Sequence, residues 1–362
     1  MKILIQDVNE PFKVDFINAL NKRASVHSVI FKPITQLLKS NQENKIYSKL
    51  YNIYFLPKYY SNFISKIFLH WQLKRMINKI KPDVLIITSP FYKDLLKFDV
   101  KLKIYFAFDN YKFYKYWKED LVLKFEQEVS QKVDLIFTSS FELRNYFIEQ
   151  YNVTNEKVLH IPNATTEKFI NARPSNLNTV SKLPKPIVGC IGAIDDKRLD
   201  LELIKDLVTE YPDVTFVFVG NITESVSKSE YKKIFESKNV FLTGRLTREK
   251  IPDYLITFDA CILPLQINEF NFYISPVRIF DYIASGKPII STNIPEVKYL
   301  FGYLVKVTAT KEEFLKEFNL LYKNNFIDNK NTMRLKIAAE HTWISRTDYI
   351  MKLLEKKLME KT

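Results

Sequence analysis

The feature that most limits how this chain can fold is a recurrence of short, unbroken apolar runs. In the first half they cover Lys2–Gln6, Ser25–Phe31, Pro82–Thr88, Lys103–Phe108, Asp134–Thr138 and Lys157–Ile161. In the second half they cover Pro186–Ile191, Val214–Gly220, Val240–Gly244, Asp259–Pro264, Pro288–Ser291 and Leu304–Val307. Most are continuous in Val, Ile, Leu and Phe rather than alternating, as expected of strands covered on both faces, and helical patterns lie between them. The pattern predicts an α/β chain with parallel sheets, about six strands in each half.

At 362 residues two domains are expected. The stretch Asn171–Lys185 (NARPSNLNTVSKLPK) is rich in Pro, Ser and Asn and reads as a linker. The predicted organisation is a first domain over 1–170, a second over 186–345, and a helical tail over 346–362 that crosses back to the first domain. Ligands of open α/β sheets sit beyond the carboxyl ends of the strands, so two Rossmann-like sheets facing each other would frame a cleft.

Hydrophobic residues at 46% and charged residues at 26% exclude a disordered or fibrous chain. Cys190 and Cys261 each lie in an apolar run without a CxxC neighbour, which predicts buried free thiols. The opening MKILIQD reads as a strand and not as a signal peptide, and no window resembles a spanning helix, so a cytoplasmic protein is expected.

The net charge of +13 is uneven: residues 1–184 carry 28 Lys/Arg against 17 Asp/Glu, and residues 185–362 carry 26 against 24. A basic half suits nucleic acid or an anionic membrane, although lysine-rich codon usage alone would also raise the count. Residues 44–82 concentrate it, with Lys45, Lys49, Lys58, Lys66, Lys74, Arg75, Lys79 and Lys81, no acids, and interleaved aromatics from Tyr47 to Trp71. That mixture fits the headgroup layer of an anionic membrane, against the alternative of a solvated helix whose aromatics pack inward.

The most informative segment is ISPVRIFDYIASGKPIISTNIPEV, residues 274–297. Ser275 suits an N-cap and Pro276 the first helical position. Val277, Phe280, Ile283 and Ala284 supply an apolar face, and Gly286 followed by Pro288 ends the helix before a buried strand. A helix start with free N–H groups is a ready phosphate site. Asp281, further along, offers a carboxylate to ribose hydroxyls.

This segment resembles the nucleotide-sugar signature P-x-K/R-x-x-E-Y-x-A-x-G-K-P-V-V of GT-B glycosyltransferases, and most of all the bacterial surface-polysaccharide branch of the teichuronic-acid type. The resemblance implies that Ser275, Pro276 and Val277 meet the diphosphate, that Arg278 stabilises it as it leaves, and that Asp281 holds the ribose in place of the usual, longer Glu. Gly192–Asp200 resembles the family's G-x-x-x-x-K turn, with Gly192, Lys197 and Arg198 at the donor phosphates. Asn239–Leu246 resembles the strand and loop at the nucleotide base, with Gly244 and Arg245. In the first domain Asp109–Asn110, Glu126–Glu128, Asp134–Ser139 and Ile161–Ala164 resemble further family marks.

The implied chemistry is transfer of a sugar from a nucleotide-sugar donor, UDP-linked as the commonest case, to a glycan or lipid-linked glycan acceptor. Neither cofactor nor metal is expected, since Asp195–Asp196 reads as a solvated turn. Asp109 is the preferred general base, ahead of Asp7 and Glu10. The position eight before Asp281 is Tyr273, where retaining relatives carry an acid. Competing readings are a nucleotide-sugar epimerase of the same fold, an inactive scaffold, and a basic nucleic-acid-binding protein; no RNA- or DNA-binding motif supports the last.

Overall fold

The computed structural model describes residues 1–6, 11–36, 49–56, 63–114, 117–173 and 179–361. Asp7, Glu10, Lys45, Tyr47, Lys58, Tyr59 and Tyr60 lie outside the described residues. The chain divides into two compact units: Met1–Pro162 with Trp343–Thr362, and Asn163–Thr342.

The first unit is built on a seven-stranded sheet, β1 (Lys2–Gln6), β2 (Ser25–Pro33), β3 (Lys49–Phe55), β4 (Val84–Ile87), β5 (Leu102–Ala107), β6 (Leu135–Thr138) and β7 (Val158–His160). Its order is β3-β2-β1-β4-β5-β6-β7, and every pairing is parallel. The order reverses at β1, which pairs with both β2 and β4, so the crevice between the carboxyl ends of β1 and β4 is the switch point. Strands β1, β4 and β5 are buried almost throughout, as their unbroken apolar runs require.

Strand β3 corrects the expected six strands to seven. Residues 49–55 had read as part of a basic aromatic stretch, yet they pair with β2 from His27↔Lys49 to Pro33↔Phe55. As an edge strand β3 buries fully only Ile53, so its Tyr and Lys residues tolerate partial exposure. His27 in β2 is buried and shares a hydrogen bond with the Tyr51 hydroxyl at 3.3 Å.

The helix Trp343–Met359 belongs to this unit. Trp343 packs on Phe16 with ring centroids 5.3 Å apart, Asp348 pairs with Arg23, and Lys361 reaches Asp134 at 2.6 Å.

The second unit carries a six-stranded sheet, β8 (Ile187–Ile191), β9 (Thr215–Val219), β10 (Val240–Leu242), β11 (Ala260–Leu263), β12 (Ile289–Thr292) and β13 (Lys306–Thr308). Its order is β10-β9-β8-β11-β12-β13, again parallel, with the reversal at β8. Its core includes Val188, Leu203, Phe216, Phe218, Phe258, Ile262, Ile279, Ile283, Ile290 and Phe314. Both cysteines are free and buried, Cys190 in β8 and Cys261 in β11. Among the described residues no helix is long and apolar enough to cross a membrane.

Candidate functional site

Two glycines shape the carboxyl edge of the second unit. Gly192 follows β8 with φ of +123°, a conformation that side chains rarely adopt. Gly220 follows β9, and a Cβ there would lie 2.1 Å from the Gly192 carbonyl oxygen. The two loops therefore cross backbone against backbone, held by Gly192 N–H donating to Val219 O at 2.8 Å.

Arg278 packs against the first of these glycines. A Cβ on Gly192 would sit 2.5 Å from Arg278 Nη2 and 2.6 Å from its Cζ, so the guanidinium lies against the bare Cα. Arg278 Nη1 is buried and has no hydrogen-bond partner. The Cys190 thiol beside it is pushed up to about 11, mainly by burial, with the Arg278 charge pulling the other way.

The helix Val277–Ser285 presents Arg278 in its first turn and ends at Gly286 with φ of +71°, the left-handed cap expected from sequence. Its start is one residue later than expected: Pro276 is the N-cap, and Ser275 precedes it. Ser275 is buried with its hydroxyl unpartnered, while its carbonyl accepts from Asn163 Nδ2 at 2.7 Å. Tyr282, on the same helix, accepts from Ile191 N at 2.7 Å and so fixes the helix against the end of β8. Gly192 and Arg278 are thus brought together, and Ser275 just before the same helix adds a second unpaired buried donor, which suits an anion at the helix start.

Asp281 is differently occupied. It is 1% exposed; Oδ1 accepts from Thr165 Oγ1 at 2.8 Å and from Arg248 Nη2 at 2.9 Å, and Oδ2 pairs with Arg248 Nη1. Burial raises its pKa, and Arg248 and Thr165 oppose that. Arg248 in turn lies over the Phe169 ring at 4.3 Å. The ribose contact expected of Asp281 would require it to give up these partners. Sequence reasoning missed Arg248 and Thr165, which are 33 and 116 residues away from Asp281.

The loop after Gly192 is braced. Asp195 Oδ1 accepts from Lys197 N at 3.1 Å and Arg198 N at 2.9 Å, and Asp196 accepts from Ser225 Oγ at 2.8 Å. Asn268 Nδ2 bonds Lys197 O at 2.9 Å, Asn271 Nδ2 bonds Arg198 O at 3.0 Å, and Arg198 lies over Phe270 at 5.0 Å. Gly244, with φ of +68°, turns the chain after β10, and Arg245 N donates to Asn221 Oδ1 at 2.8 Å. Among the described residues no three His, Cys, Asp or Glu side chains gather in a metal-holding group.

In the first unit Asp109 follows the end of β5 and accepts from the Tyr114 hydroxyl at 2.9 Å. Asn110 caps the next turn, its Oδ1 accepting from Lys112 N at 3.3 Å. Glu126 lies deep in the unit and accepts from Tyr105 at 2.9 Å and Tyr151 at 2.7 Å. Burial pushes its pKa up to about 7 while the two hydroxyls pull it down. The helix Phe63–Ile80 buries Leu69, Leu73, Met76, Ile77 and Ile80, and leaves Phe63 75% and Trp71 56% exposed beside Ile64 and Ile67. Lys66, Lys74 and Lys79 share its exposed surface, and Arg75 lies 5.8 Å over Trp71.

Residues 185–324 match the family model described as "Glycosyl transferases group 1". The putative teichuronic acid biosynthesis glycosyltransferase TuaH of Bacillus subtilis is 24% identical over 243 residues, a match that spans 65% of this chain and 60% of the relative. HepE of Anabaena, crystallised with UDP, superposes with a TM-score of 0.74 at 14% identity over 98% of this chain and all of that one. Sucrose-phosphate synthase from Thermosynechococcus elongatus superposes with a TM-score of 0.76 at 12% identity, covering both chains completely. The two parallel sheets are therefore those of the GT-B fold, and residues 185–324 of the second unit are similar to the group 1 glycosyl transferases.

Proposed function

We propose that the chain is a glycosyltransferase that moves a sugar from a UDP-linked donor to a glycan acceptor carried on a lipid or on a growing surface polysaccharide. The observation that carries this reading is the pair of unpartnered buried donors at the start of the Val277–Ser285 helix, Ser275 Oγ and Arg278 Nη1, with the Arg278 guanidinium against Gly192. Buried donors without acceptors are costly, and the oxygens of a diphosphate supply such acceptors. That HepE binds UDP and UDP-glucose on the same fold supports the choice of base.

In the reaction the acceptor hydroxyl oxygen bonds to the anomeric carbon, and the bond from that carbon to the diphosphate oxygen breaks. The electron pair leaves with UDP, and the proton passes to the Asp109 carboxylate. Arg278 and the helix amides stabilise the charge that develops on the diphosphate, so no metal is needed. Lys197, Arg198 and Arg245 lie on the loops that flank the donor, with Gly244 turning the chain there. Asp281 serves by holding Arg248, not by touching the sugar nucleotide.

Thermal-shift measurement with UDP, GDP, CDP and dTDP tests the site: UDP should stabilise the protein and lose that effect in Arg278→Ala. No response to any nucleotide rejects the reading. EDTA should leave the response unchanged.

The acceptor is reached at the inner face of the cell membrane, where the helix Phe63–Ile80 docks. Its exposed Phe63, Ile64, Ile67 and Trp71 enter the headgroup layer, and its lysines face anionic lipid. The protein should sediment with anionic vesicles at low salt and be released at high salt; failure to bind acidic vesicles at low salt removes this part.

A further inference from the structure

The carboxyl edge of the first unit holds a second pair of unsatisfied donors. Gln6 ends β1 and is completely buried; its Oε1 accepts from Thr88 N at 3.0 Å, while Thr88 Oγ1 donates to the Gln6 carbonyl at 3.0 Å. These bonds cross the switch point between β1 and β4. They also fix the orientation of the amide, because a backbone N–H must meet its oxygen. Its Nε2 then has no partner. Asn110, 4% exposed after β5, is fixed in the same way by Lys112 N, and its Nδ2 is unpartnered too. Tyr111, the residue next to Asn110, donates to the Thr88 carbonyl at 2.7 Å, which ties the end of β5 to the pair Gln6–Thr88.

Two buried NH2 groups without acceptors each carry a desolvation penalty that a native structure keeps where something else supplies the acceptor. Both are neutral. Asp109 precedes Asn110 in the chain, and the buried Lys13 ammonium lies 5.5 Å from the ring of Phe108. Neutral donors suit the lone pairs of sugar hydroxyl and ring oxygens rather than a second phosphate.

We propose that the Gln6 and Asn110 carboxamides select the acceptor, each NH2 donating to an oxygen of a pyranose whose reacting hydroxyl faces Asp109. This rests on the glycosyl-transfer reading and adds to it the residues that recognise the acceptor.

The probes are methyl α- and β-glycosides of the common hexoses and N-acetylhexosamines, added to the full chain with UDP present and followed by saturation-transfer NMR. Gln6→Glu and Asn110→Asp keep the oxygen that meets the backbone N–H and replace the donor. At a pH where the new acid is ionised, glycoside binding should be roughly tenfold weaker, the loss of about one hydrogen bond with its donor replaced by a repelling oxygen. At lower pH the protonated acid regains an O–H donor, and binding should recover; a merely structural role would not show this. If either variant fails to fold, Gln6→Met or Asn110→Leu takes its place with the same loss expected. The UDP thermal shift should be unchanged in all of them. Equal glycoside binding by variants and wild type, or no glycoside bound by the wild type, overturns the proposal. Loss of UDP binding by the wild type would instead reject the parent reading.

Discussion

Gly192 is where a single atom decides the site. A methyl group there would meet the Arg278 guanidinium at 2.5 Å, and the φ of +123° would remain strained even if Arg278 moved. Gly192→Ala should abolish the UDP-dependent thermal shift and cost about 1–3 kcal/mol of stability; a variant that keeps its UDP response would show that Arg278 need not lie against the Cα. Asp281 and Arg248 form a different kind of dependence, a buried ion pair. Asp281→Asn removes the buried carboxylate that pairs with Arg248 and should destabilise the second unit by about 3–5 kcal/mol, whereas Asp281→Asn with Arg248→Met should recover most of that. Urea unfolding of the three proteins measures it, and a double variant as unstable as the single would show that the partners do not act as a pair. The helix around Asp281 could be read from its own residues, with Gly286 as the stop. The partners could not, since Thr165 and Arg248 come from distant segments and no local pattern announces a buried guanidinium.

At the scale of elements, the helix Glu119–Lys132 buries Glu126 against β5, whose Tyr105 hydroxyl it accepts. The folded carboxyl sits at about 7, above the ordinary value of 4.5, so between these values the native state binds the proton that the unfolded state has released. The favourable contribution of the protonated form is complete below about pH 4.5 and is lost as pH rises through 7, a fall of about 3 kcal/mol. Glu126→Gln should flatten that slope and be more stable than the wild type at pH 8, as denaturant melts across this range would show; parallel pH curves for both proteins would refute it. Elements were readable where they carry an unbroken apolar run, the half-buried β10 included. Strands β8, β9 and β11 are buried throughout and announced themselves. Strand β3, with Lys49, Asn52 and partly exposed tyrosines at the sheet edge, did not, because an edge strand is not obliged to carry a core pattern.

For the molecule as a whole, two units with separate cores predict two unfolding transitions in calorimetry. UDP should raise only the transition of Asn163–Thr342, by about 2.7 kcal/mol at a hundredfold excess over its dissociation constant. A shift of both together would mean that the units melt as one. The alternation of strand and helix along the chain carried enough information to predict two parallel sheets. The identity of the small group that each edge receives was written less plainly, in a few unpaired donors such as Ser275, Gln6 and Asn110 that only coordinates reveal.

The return of helix Trp343–Met359 to the first unit sets a timetable for biosynthesis. Arg23 finds Asp348 325 positions further along the chain, and Phe16 is covered by Trp343. At about 5–20 residues per second on the ribosome, the earliest strands wait some tens of seconds for this cover. The half translated first is therefore the half completed last, and during that interval its exposed apolar seam around Phe16 is the surface a chaperone would have to guard.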